Sequence, residues 1–132
     1  MAYHLEYDST NRVLLGTCAG RITDEDATAF YRMTGEYAAL LDPRAGITNL
    51  SAIASLEVTA QKIRQLAKTV PVMAEPSRPC VIVAASPHIF GMARMFEFEG
   101  QSTRPNLHVV RTLGEAWAII GIHNPKFEPI RL

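Results

Sequence analysis

The chain has 132 residues, 48% of them apolar, with thirteen basic side chains set against thirteen acidic ones. A length of this order makes one domain that buries roughly two thirds of its unfolded surface without disulfide or metal staples. The balanced charge, with no long run of one sign, excludes the basic footprint that a phosphate backbone requires, so nucleic acid is not an expected partner.

Tyr3 to Asp8 alternates Tyr3, Leu5 and Tyr7 with His4, Glu6 and Asp8, the period of an edge strand with one wetter face. Ser9-Thr10-Asn11 has turn chemistry, and Arg12 to Cys18 returns as a second strand, closed by Gly20. Thr23-Asp24-Glu25-Asp26 is a capping-box pattern, and Ala27, Phe30, Tyr31, Thr34, Ala38 and Leu41 follow at helical spacing until Asp42-Pro43-Arg44. Ala45 to Leu50 is a short strand and Ser51 to Glu57 a loop. A helix opening near Thr59 carries the inner stripe Ile63, Leu66, Ala67 and Val70.

Pro71 to Pro79 holds three prolines and is read as a connection. It leads to Cys80-Val81-Ile82-Val83-Ala84-Ala85, whose unbroken apolar character is that of a strand covered on both faces. Ser86 then suits a helix N-cap and Pro87 the first helical position, opening a segment that runs to Glu99. Asn106 to Arg111 is a further strand. Thr112 to Glu115 repeats the capping-box pattern before a helix carrying Leu113, Ala116, Trp117 and Ile120. Residues 1–123 thus form one domain and residues 124–132 a tail. The expected fold class is α/β, a β-hairpin followed by alternating β/α units in a mixed sheet flanked by helices.

No window reaches the ~20 apolar residues of a membrane span, and Met1-Ala2-Tyr3-His4 lacks a basic region followed by an apolar run. A soluble, cytoplasmic protein is expected. Cys18 and Cys80 lie in apolar strand-like runs and are read as two free thiols rather than a bridge.

The order of elements, together with Val83-Ala84-Ala85-Ser86-Pro87-His88-Ile89-Phe90-Gly91-Met92-Ala93-Arg94-Met95-Phe96-Glu97, resembles the SpoIIAA-like proteins of the STAS superfamily (sulphate transporter and anti-sigma-factor antagonist). The likeness spans residues 3 to 122, and its most specific part is Phe90 to Phe96. It implies a protein-interaction module rather than an enzyme, similar to anti-sigma-factor antagonists that bind their kinases under phosphorylation control. The family's Asp-Ser phosphorylation pair falls at Glu57-Val58, and valine cannot carry phosphate. Ser51, Ser55 and Thr59 are nearby hydroxyls that serve equally as turn or cap residues.

The scattered histidines His4, His88, His108 and His123 show no zinc-pair spacing, and no metal or cofactor is expected. Nucleotide-binding glycine patterns and a nucleophile elbow are missing from the sequence, so no catalytic residue is assigned. Two surfaces stand out. If the strand ending at Leu50 and the strand from Cys80 are parallel neighbours, Ser51, Ser55, Glu57, Ser86 and His88 gather at the carboxyl rim of the sheet, where open α/β sheets bind ligands. Ordinary loop and cap roles account for the same residues. The other surface is the outer side of the Ser86 helix. With Ile89, Met92, Ala93 and Phe96 inward, Gly91, Arg94 and Phe98 face outward, flanked by Phe90 and Met95. This patch suits a protein partner or a homodimer, unless the tail from Phe127 to Leu132 covers it. The primary expectation is therefore a non-catalytic regulatory interaction module. The alternative is a binder of a small apolar or anionic ligand held between the helices and the rim.

Overall fold

The first two runs pair as expected. β1 (Tyr3–Asp8) and β2 (Val13–Thr23) form an antiparallel hairpin with Tyr3 opposite Cys18 and Asp8 opposite Val13. The fully enclosed Asp8 closes the turn, accepting from the Asn11 backbone N–H at 2.9 Å and its side-chain amide at 2.7 Å. Arg12, expected in the second strand, belongs to the turn, with its backbone in the left-handed region at φ 57°. The computed structural model describes residues 2–73 and 75–131. Met1, Ala74 and Leu132, which belong to the expected domain start, the proline-rich connection and the tail, lie outside the described residues.

α1 (Asp24–Leu41) starts with the capping box: the Thr23 hydroxyl accepts from the Asp26 N–H, and the Asp26 carboxylate accepts from the Thr23 N–H. It ends at Asp42, in the left-handed region just before Pro43. β3 (Ala45–Glu57), α2 (Ala60–Ala67), β4 (Cys80–Val83), α3 (Pro87–Glu99), β5 (Leu107–Val110), α4 (Leu113–Ile120) and β6 (Glu128–Pro129) complete the chain. The strand order is β5-β4-β3-β2-β1-β6, with β2, β3, β4 and β5 parallel to one another and β1 antiparallel to both β2 and β6. The described residues thus form a single α/β domain with a mixed six-stranded sheet and four helices. None of those helices is long and apolar enough to cross a membrane.

Several expected boundaries move, each for a physical reason. Ser51 to Glu57 is not a loop: β3 continues to Glu57 because β2 also continues past Gly20 to Thr23, and the two pair beyond the ends of β1 and β4. Two register shifts interrupt this overhang, between Thr17 and Ala19 and between Gly20 and Arg21 of β2, and Gly20 takes a positive φ of 73° there. The irregular pairing disguises the strand as loop-like sequence. β4 stops at Val83, two residues short of the apolar run. β5 is likewise shorter at each end than Asn106 to Arg111. α2 ends at Ala67, so Val70 leaves the inner stripe and stands 80% exposed.

The period of two along each strand divides the sheet into two faces. On one face Val13, Leu15, Ala45, Ile47, Val81, Val83 and Val110 meet Ala116 and Ile120 of α4 in a closed apolar layer. On the other, Leu14, Cys18, Leu50 and Ile82 face α1, α2 and α3. Gly16 lies on this second face, and a Cβ there would come within 2.6 Å of the Phe30 ring. Its lack of a side chain is what lets α1 sit this close. The tail extends the sheet rather than wandering: the Lys126 N–H donates to Asp8 at 2.9 Å, Phe127 stacks on Trp117, and the Ile130 N–H donates to the Leu5 carbonyl at 2.9 Å.

A candidate apolar binding cavity

Where α4 closes its face of the sheet, the three helices opposite do not close theirs. A cavity of about 200 Å³ lies between the sheet and α1, α2 and α3. Gly46, Thr48, Leu50, Cys80 and Ile82 form its floor; Phe30 and Tyr31 of α1, Ile63 and Leu66 of α2, and Met92 and Phe96 of α3 form its walls. Ile53 and Leu56 on the β3 overhang close one end, and the connection from Pro71 to Arg78 also contributes to the lining. Local sequence explains the gap. α2 has only eight residues, Gly46 and Ala93 present little bulk, and the prolines between α2 and β4 prevent a longer helix from covering the sheet.

The lining bears the mark of unfilled space. Leu50, Ile53, Leu56, Ile63, Leu66, Ile82, Met92 and Phe96 point inward yet remain only half-buried. Apolar side chains that face open space in this way present hydrocarbon surface that an apolar ligand would cover.

The polar groups at the margin are engaged with the protein itself. Arg104 donates to the carbonyls of Leu66 at 3.2 Å and Thr69 at 3.0 Å, to the Ala67 carbonyl, and to the Tyr31 hydroxyl at 2.6 Å. Its guanidinium lies 4.9 Å from the Phe96 ring centroid. A cation on these carbonyls complements the negative end of the α2 dipole. Tyr31 in turn donates to the Val70 carbonyl at 2.6 Å. Gly100 makes room for this arrangement, since a Cβ there would meet the Arg104 guanidinium at 2.9 Å. Burial pushes the Cys80 thiol up to about 11 and, aided by the nearby Asp26 charge, the Cys18 thiol up to about 12. Burial also raises the Tyr31 hydroxyl, against the opposing influence of Arg104. All three stay neutral near pH 7.

Of the rim residues expected from the sequence, Ser86 and His88 follow the carboxyl end of β4, whereas Ser51, Ser55 and Glu57 lie within β3, on the overhang beyond Asn49, its last partner to β4. Each has a local role. Ser86 accepts the Ile89 N–H at 3.3 Å and caps α3, while His88 is exposed in the first turn. The Ser51 N–H donates to the Asn49 side chain at 3.1 Å. Glu57 is paired with Arg21 across the overhang, at 2.5 Å and 3.0 Å, and accepts from the Ser55 hydroxyl at 3.2 Å. The Arg21 hydrogen bonds hold its carboxyl below the ordinary range. Thr59 caps α2 and donates to Asp24 at 3.0 Å. Among the described residues, no three His, Cys, Asp or Glu side chains gather to hold a metal.

On the outer side of α3, Gly91, Arg94 and Phe98 are exposed as expected, and Phe98 is 69% exposed. Phe90 does not belong to that surface. It is half-buried against Ala84 and Ile89, with the Arg111 guanidinium 3.9 Å from its ring centroid. Met95 is half-buried and Arg94 pairs with Glu97 at 2.6 Å. A Cβ on Gly91 would meet nothing within 4 Å, so no close approach within the domain requires glycine there. The tail leaves this patch uncovered because it runs along β1, at the other end of the sheet.

No protein-family model matches the chain, and no curated protein matches it.

Proposed function

We propose that this chain is a non-catalytic binding domain that holds a small apolar ligand between its sheet and the helices α1, α2 and α3. The cavity of about 200 Å³ carries the reading, because its lining is hydrocarbon apart from a few marginal polar groups. A non-catalytic role is supported by the same geometry: Ser86 is occupied as a cap and Glu57 by Arg21. The order of hairpin and alternating units supports the resemblance to SpoIIAA-like proteins, and two unbridged thiols suit the cytoplasm. The test is native mass spectrometry of the protein isolated gently from its own cells. An adduct absent from the denatured chain is the expected result; the bare chain mass in both spectra counts against ligand uptake.

A second reading, self-association or partner binding through α3, is supported by the exposed Phe98 beside the open Gly91. On this reading the domain is a regulatory interaction module. Phe98→Asp then lowers the sedimentation coefficient of the assembly without changing the folded far-UV spectrum. An unchanged coefficient removes α3 as the interface.

A further inference from the structure

The chemical class of the occupant follows from the polar side chains around the cavity, and rests on the ligand-binding reading above. We infer that the cavity selects a small uncharged molecule, mostly hydrocarbon, with at most a single hydroxyl or carbonyl oxygen, which meets Thr48. A 150 Å³ apolar cavity takes benzene, so a space of about 200 Å³ takes a somewhat larger body.

Two cations line the cavity, and both are already engaged. Arg104 donates to three carbonyls at the end of α2 and to Tyr31. Arg78 is paired with Asp42 at 2.6 Å and with Glu75 at 3.4 Å, and donates to the Pro43 carbonyl at 2.8 Å. A ligand carboxylate or phosphate would have to take Arg104 from α2, leaving the helix carbonyls without their donor. The other polar lining groups are also engaged: the Thr34 hydroxyl donates to the Phe30 carbonyl at 2.7 Å, and the Asn106 amide donates to the Ser77 carbonyl at 2.8 Å. A ligand cation fares no better, since neither Asp nor Glu is among the described residues that line the cavity. Thr48, on the floor beside Cys80 and Ile82, is different. Among the described residues no side-chain hydrogen bond engages its hydroxyl, so it can serve one neutral oxygen on a ligand.

Three probes of one shape test the inference by isothermal titration of the full chain at pH 7: naphthalene, 2-naphthalenemethanol and 2-naphthoate. The alcohol binds at least tenfold more tightly than the carboxylate. Thr48→Val weakens the alcohol about fivefold and leaves naphthalene within twofold. Carboxylate binding equal to or tighter than that of the alcohol, and lost in Arg104→Gln, overturns the uncharged class while keeping the cavity as a ligand site. A Thr48→Val variant that binds all three probes like the parent overturns the role of Thr48 and needs no change at Arg104. Failure of all three probes, with no shift in the methyl resonances of Ile53, Ile63 and Ile82, overturns the ligand-binding reading itself.

Discussion

Two glycines on the same face of the sheet should respond to one added methyl group in opposite ways. At Gly46 on β3, a Cβ would lie 3.8 Å from the Cys80 sulfur, 3.9 Å from the Met73 sulfur and 4.0 Å from the Leu14 carbonyl oxygen. These are ordinary van der Waals distances, and Gly46 has no positive φ. Gly46→Ala therefore places a methyl at the cavity floor without strain. Burying that carbon contributes ~0.8 kcal/mol, and restricting the unfolded chain contributes about 0.4–1 kcal/mol more. The expected gain is about 1–2 kcal/mol, a rise of roughly 3–7 °C in Tm for a domain of this length. Gly16→Ala drives its methyl to 2.6 Å and 2.8 Å from atoms of the Phe30 ring and 3.2 Å from a Leu5 methyl. Phe30 is packed against Tyr3 with ring centroids 5.8 Å apart, so the ring must shift or the helix must lift. An overpacking cost of about 1–3 kcal/mol follows. Differential scanning calorimetry of the two variants measures both effects. A Gly46→Ala variant destabilised by more than about 1 kcal/mol would refute open space at the cavity floor.

Asp8 supplies a pH test. Burial acts to raise its pKa, but hydrogen bonds from Asn11 and the Lys126 N–H outweigh it and hold the carboxyl below its ordinary 3.8. A depressed carboxyl stabilises the fold fully above its unfolded value and loses that contribution as pH falls through its lower folded value. Urea midpoints of the parent should thus fall below about pH 4, and the loss of stability in Asp8→Asn, about 1–3 kcal/mol near neutrality, should shrink toward acid. An equal deficit from pH 7 to pH 2.5 contradicts this assignment. Arg104→Met should cost about 2–3 kcal/mol by leaving the α2 carbonyls without a charged donor, with amide exchange accelerated first in residues 64–70. Unchanged exchange there removes Arg104 as the α2 clamp. The Cys80 thiol, raised to about 11 from an ordinary 9.0, should react with iodoacetamide at pH 8 about a hundredfold more slowly than in the unfolded chain. Equal rates in native buffer and in urea would contradict its burial.

The sequence made the fold legible wherever local chemistry and long-range packing agree. The Thr23, Ser86 and Thr112 caps and the proline stop after Asp42 follow from side chains acting on their own backbone, and the unbroken apolar run from Cys80 marks the buried strand that pairs in parallel with Gly46 to Asn49. The overhang from Ser51 to Glu57 was hidden because serine and alanine carry weak strand signals, and its pairing with β2 depends on two irregular register positions. Spacing alone puts Val70 on a helical stripe, since periodicity does not report where a helix stops. A rim loop is read at Ser51 to Glu57 where β3 in fact continues as an overhang, and Arg21 is 36 positions from Glu57, so nothing local announces that pairing. Phe90 looked outward by its angle on the helix until Arg111, from the end of another strand, came over its ring. The cavity itself is an effect of volume: the same apolar residues would read identically had the helices closed over them. Gly46, Ala93 and the prolines after α2 are sequence signals of missing bulk, and their meaning depends on what stands opposite.

The central claim is that apolar space lies under α1, α2 and α3 and not under α4, and methyl-resolved carbon-13 NMR under xenon pressure tests it most directly. Xenon enters dry apolar cavities without needing any polar partner. Progressive shifts in the methyl groups of Leu50, Ile53, Leu56, Ile63, Leu66 and Ile82, with those of Val13, Leu15 and Val110 unmoved, are the predicted result. Uniform small shifts across both layers, or none in either, would contradict it.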